Sequence, residues 1–187
     1  MQYSIGDKVV HPYHGPGLVI GAEKKELVEE AQRYYVIEIP AQELTVYVPA
    51  QRVDDSGLRP AISRGSFPGI LEKLGSKPRN LPEDYRERQE GIWERLRAAG
   101  PLQLAAIVRD LLWHKHREHL TKKDTEYLDR GRHLLAAEMA LVSDGEVADM
   151  EKRIDSAVAG AMEEETRQDQ YERRHARVTQ LDLVANT

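Results

Sequence analysis

The sequence has no cysteine. Disulfides and thiolate metal sites are therefore impossible, and a reducing cytosol is compatible with the chain. No run of apolar residues approaches the roughly 18 that a membrane span needs, and the N-terminus has no signal-peptide pattern. The motifs of the common enzyme classes are missing too. There is no GxSxG, no P-loop GxxxxGK[ST] and no GxGxxG after a strand. Gly15-Pro16-Gly17 puts a proline where phosphate cradling requires a free amide. A small hydrolase would need a pocket with convergent polar groups that no sequence pattern announces. A strong charge excess is also lacking. The net charge is -5, and only residues 66–142 are net positive, with 14 Lys+Arg against 12 Asp+Glu. That excess is too small to predict nucleic-acid binding by itself.

What is present is a folded, well-solvated chain of 187 residues with 40% hydrophobic residues and a mean hydropathy of -0.62. Its length suits one large or two small domains. The organising stretch runs from Ile5 to Glu23. Val9-Val10 and Leu18-Val19-Ile20 read as short strands joined by His11-Pro12-Tyr13-His14-Gly15-Pro16-Gly17, where Pro fixes φ and Gly tolerates φ > 0. Small SH3-like or Tudor-like barrels open in this way, and they present an edge or a loop cluster to a partner.

Period-two alternation follows. Tyr35, Ile37 and Ile39 share one face, with Tyr34, Val36 and Glu38 on the other. Leu44, Val46 and Val48 point inward, with Thr45 and Tyr47 outward. Gln42-Glu43 is the turn between these strands, Glu29-Glu30 is a loop, and a short strand near Arg52-Val53 closes the barrel. From Ser66 the period becomes 3.6. Five helices are predicted: one with Phe67, Ile70, Leu71 and Leu74, one starting near Pro82, one after Gly100-Pro101, one capped by Thr121-x-x-Asp124, and one after the capping box Ser143-Asp144-Gly145-Glu146. Beyond Met162 apolar residues are too sparse to offset the entropy of ordering.

The expected fold class is therefore α+β: a small antiparallel SH3/Tudor-like β-barrel (residues 1–65), an all-α five-helix domain (66–160), and a helix extension with a disordered tail (161–187).

Four motifs in order, GDKVVHPYHGPG, LTVYVP at Leu44–Pro49, Gly57-Leu58-Arg59 and Val108-Arg109-Asp110-Leu111, resemble the bacterial CarD/CdnL regulators. The first also resembles the polymerase-binding module of transcription-repair coupling factors. The resemblance covers about the first 155 residues. It implies a cytoplasmic, monomeric transcription regulator without cofactors. The barrel would dock on the β subunit of RNA polymerase, and the helices would contact promoter DNA at the upstream edge of the bubble and stabilise the open complex.

The polymerase-contacting positions correspond to Lys25 and Tyr47, with Val46, Val48 and Pro49 on the same edge. Where the family carries a wedge tryptophan, this chain has Tyr85, whose ring is flat but smaller. Arg86 and Arg88 would hold flanking phosphates, and Trp93, eight residues on, reads as core. In the basic stretch 113–123, Lys115, Arg117, Lys122 and Lys123 read equally as phosphate contacts or as a solvated helix end. His114, His116 and His119 lack metal-ligand spacing and read as part of that basic helix. A protein-only adaptor, linking polymerase to a second protein without touching DNA, is the alternative.

Overall fold

The computed structural model describes residues 2–28, 30–98 and 100–185; the side chains of 25–32, 97–98, 174 and 176–185 lie outside the description. Five antiparallel strands come first: β1 (Lys8–His11), β2 (Gly15–Val28), β3 (Glu30–Ile39), β4 (Leu44–Pro49) and β5 (Arg59–Pro60). Their order is β4-β3-β2-β1-β5, an open curled sheet with β4 and β5 at its two edges. The barrel is thus Tudor-like without closing.

The predicted strand near Arg52-Val53 is instead a 3-10 turn, Ala50–Arg52. Ser56 Oγ donates to the Val53 carbonyl (2.6 Å) and accepts from Leu58 N (3.2 Å), so the chain reverses there and pairs with β1 only at Arg59. The Gln42-Glu43 turn is found, with Glu43 left-handed at φ 52°. Of the expected loop, Glu29 lies outside the described residues and Glu30 already begins β3.

The inward face follows the alternation. Val9, Val19, Tyr35, Ile37, Ile39 and Val48 are buried with Tyr3, Val53 and Leu58. Tyr3 meets Tyr35 edge-to-face at 5.7 Å, and the Tyr3 hydroxyl donates to the Leu58 carbonyl. Gly17 makes the close approach of β2 possible, since a Cβ there would stand 2.5 Å from the Glu38 carbonyl oxygen. The outward face departs from the pattern, for Tyr34 and Val36 are buried as well. In register they are flanked by Pro49 and Tyr47 of β4 and by Glu23 and Gly21 of β2, so bulky β4 residues share their face.

Five helices follow: α1 (Phe67–Gly75), α2 (Tyr85–Ala98), α3 (Pro101–Arg117), α4 (Lys122–Ser143) and α5 (Val147–Ala185). Ile70, Leu74, Ile92, Ile107, Leu111, Leu135, Met139 and Ile154 fill their common core. The Thr121/Asp124 capping box is formed. Ser143-Asp144-Gly145-Glu146 does a different job from the one expected. Ser143 Oγ bonds back to the Met139 carbonyl, and Asp144 takes the left-handed conformation that terminates α4. The helix α5 runs past Met162 to Ala185. Beyond Gly160 the segment has no Pro or Gly, and local bonds such as Arg167–Glu164 (3.0 Å) and Thr166 Oγ1 to the Met162 carbonyl (2.9 Å) support it. Such local pairs offset part of the ordering entropy without a packed face.

The VRDL motif proves structural. Arg109 donates to Asp110, to the Lys73 carbonyl and to Ser76 Oγ, closing the C-terminal end of α1. Asp110 also accepts from Arg79 N and so pins the connection to α2.

The two halves are joined through α4. Arg59 forks onto Glu138 with bonds of 2.6 and 2.8 Å, and Ile62 N donates to the same carboxylate at 3.1 Å. Arg64 Nε donates to the Val142 carbonyl, while Arg64 and Lys8 both grip Asp144. The hydrogen bond from Lys8 and its charge, with Arg64 assisting, hold the Asp144 carboxyl below its ordinary pKa. Gly15, at φ +81°, lies where a Cβ would meet Leu134 of α4 at 2.9 Å.

Candidate functional site

Two surfaces carry some of the predicted site residues. The first is the β4 edge. Among the described residues β4 pairs only with β3, so one of its sides is available to an incoming strand or loop. Tyr47 is 39% exposed and projects from this edge, Val46 is half-buried against the sheet core, and Pro49 is half-buried opposite Tyr34. Val48 is a correction: it is 2% exposed and packs in the core, because it pairs with Tyr35 on the inward face. Only its backbone belongs to the edge. Lys25 stands on β2 opposite Gln32. Its side chain lies outside the described residues.

The second surface is the start of α2. The helix begins at Tyr85, three residues later than expected, because Asp84 caps it: Asp84 Oδ1 accepts from Arg86 N (2.9 Å) and Glu87 N (3.0 Å). Tyr85 therefore occupies the first turn, where it is 46% exposed. Arg86 backs it, with Nε 3.1 Å from the tyrosine oxygen and the guanidinium 5.6 Å from the ring centroid.

Arg88 is the second correction. It is 4% exposed and bonds Asp124 at 2.8 Å and the Pro82 carbonyl at 2.7 Å, so it cannot reach a phosphate. Burial opposes the charge on Asp124, yet hydrogen bonds from Arg88 and Thr121 together hold its pKa below the ordinary value. This pair locks the start of α2 to the start of α4. Gln89 Nε2 adds a bond to Thr121 Oγ1 at 2.9 Å.

The structure divides the basic stretch. Lys122 and Lys123 are exposed in the first turn of α4, beside α2. Cations there oppose the helix dipole. Lys123 is paired with Glu126 at 2.9 Å. Lys115 instead borders a groove with Arg132, Asp155 and Met162 on the α5 side. Arg117 lies over the Trp113 ring and 3.3 Å from Glu165 of α5. Lys115 and Arg117 sit in the last turn of α3, where the dipole favours them.

Sequence reasoning missed two features. The Arg59–Glu138 contact joins residues far apart in the chain, so no local pattern reveals it. Trp93, expected in the core, is 42% exposed. No cluster of metal-binding side chains occurs among the described residues, and none of their helices is long and apolar enough to cross a membrane.

An open sheet edge is thus joined through α4 to a helical module that exposes an aromatic at a helix start. Comparison with known proteins gives the family. The CarD-like/TRCF RID domain matches residues 3–62, and the CarD C-terminal domain matches residues 69–155. The chain is also 29% identical over 142 residues to the Bacillus subtilis (strain 168) protein named "Putative transcription factor YdeB", covering 75% of this chain and 92% of that one. The chain belongs to the CarD family, a family of transcription factors and not of enzymes.

Proposed function

We propose that this protein docks through β4 on the β subunit of RNA polymerase and lays the start of α2 against promoter DNA at the upstream edge of the bubble. There it stabilises the open complex, as a cytoplasmic monomer. Tyr47, Val46, Pro49 and Lys25 make the polymerase contact. Tyr85 is the wedge and Arg86 its phosphate partner, with Lys122 and Lys123 on the same side and Lys115 and Arg117 more remote.

The observation that carries the reading is the posture of Tyr85: exposed, placed by a capped helix start, and backed by a guanidinium. Unstacking a base step costs a few kcal/mol, so only a firmly supported ring helps to hold it open. Docking supplies the effective concentration that a net-negative chain needs for weak DNA contacts.

The test is the lifetime of preformed open complexes under competitor challenge. Tyr85→Ala shortens it without weakening polymerase docking, and Tyr85→Trp lengthens it. Arg86→Ala lowers the salt slope of DNA binding by about 1. The burial of Arg88 removes one expected phosphate contact and so favours the adaptor reading. Equal lifetimes and an unchanged salt slope would establish that alternative.

A further inference from the structure

Trp93 occupies an unusual position for the largest aromatic side chain. Its neighbours in α2, Ile92 and Leu96, are buried at 0% and 7%, yet Trp93 is 42% exposed. The ring is not loose. It stacks on Tyr127 of α4 with centroids 6.1 Å apart and planes inclined by 28°. Tyr127 is itself 8% exposed, so a core residue braces Trp93. Lys123 Nζ sits 5.1 Å from the Tyr127 ring centroid, and Lys122 is exposed beside it at the positive end of the α4 dipole. An exposed, rigidly supported aromatic with adjacent cations is the arrangement on which nucleic-acid bases stack, because every base offers a π-face. A base inside a duplex cannot present that face, so the occupant must be unpaired.

Trp93 lies eight residues from Tyr85, about 12 Å along the helix axis, so it is a separate contact from the wedge. Glu90 and Glu94 are exposed on the same helix, and Glu126 pairs with Lys123. The surface therefore suits one base with its adjacent phosphates better than a long track of polyanion.

We propose that Trp93, braced by Tyr127, with Lys122 and Lys123 in the first turn of the helix that carries Tyr127, is a stacking platform for an unpaired base of single-stranded DNA. The proposal rests on the reading that the helical half contacts DNA, and adds a single-strand site to it.

The chain has two tryptophans, and Trp113 is 4% exposed, so quenching by direct contact reports Trp93. The full chain is titrated at low salt with a short oligo(dT) and with a duplex of equal length. Oligo(dT) quenches the emission and the duplex does so far less. Trp93→Ala weakens oligo(dT) binding about tenfold, within the range of one base–aromatic stack. Trp93→Phe, which keeps a ring on Tyr127, falls between, and both variants retain the wild-type circular dichroism. No quenching, equal quenching by duplex, or equal oligo(dT) affinity of the folded variants would overturn the platform. If those arms fail while Tyr85 and Arg86 variants still alter open complexes, only the platform falls. If all fail together, the DNA reading falls with it.

Discussion

Replacing Arg59 by alanine is expected to weaken the whole fold, not only the sheet edge on which it sits. Its partner Glu138 has a side chain 1% exposed, and among the described residues Arg59 supplies two of the three hydrogen bonds to this carboxylate. Removing one member of a fully buried ion pair costs about 3–5 kcal/mol, because the other charge stays desolvated. Here Arg59 is 28% exposed and Ile62 N still donates to Glu138, which reduces the penalty. A loss of about 2–3 kcal/mol is expected. With a urea m-value of about 2 kcal/mol/M, the midpoint falls by about 1 M. The double variant Arg59→Met with Glu138→Leu removes both charges and is expected to recover most of the loss. If Arg59→Ala unfolds within about 0.5 kcal/mol of wild type, as an ordinary surface change would, the buried bridge is not what joins sheet and α4.

Residues 1–65 expressed alone are expected to give a β-type circular dichroism spectrum, because the sheet core from Tyr3 to Leu58 lies within that segment; an unfolded fragment would show that α4 is required for the sheet. Asp124→Asn leaves Arg88 buried without a counter-charge and is expected to cost about 3 kcal/mol at neutral pH. Because the folded pKa of Asp124 is depressed, its stabilisation is full above its unfolded value near 3.8. It is lost as pH falls through the lower folded value. The wild-type and Asp124→Asn stability curves should therefore converge on acidification, and parallel curves in urea titrations would contradict this.

Much of the fold was legible because periodicity is local. Val9, Ile37 and Val48 alternate, Ile70, Leu74 and Leu111 recur at helical spacing, and the Thr121/Asp124 cap lies within one turn. The two misread charges have partners remote in sequence. Arg88 read as a surface cation because Asp124 lies 36 residues away. Glu138 resembled any helix-face acid because Arg59 lies 79 residues away. Val48 was read onto the partner-facing edge although its own alternation places it inward. Trp93 shares a helix with buried Ile92 and Leu96, and hydrophobicity alone does not distinguish a braced surface ring from a core one. The sequence signal that remained was charge against dipole: Lys122-Lys123 at a helix start is unfavourable for folding alone.

The central claim is that the β4 edge docks on RNA polymerase, and co-purification of core polymerase with Tyr47→Glu tests it most directly. Tyr47 is 39% exposed on an edge strand, so the change places a charge on the docking edge, and circular dichroism confirms that the variant is folded. The account predicts that wild-type protein retains polymerase and that folded Tyr47→Glu does not. Undiminished retention of polymerase by the variant would contradict it.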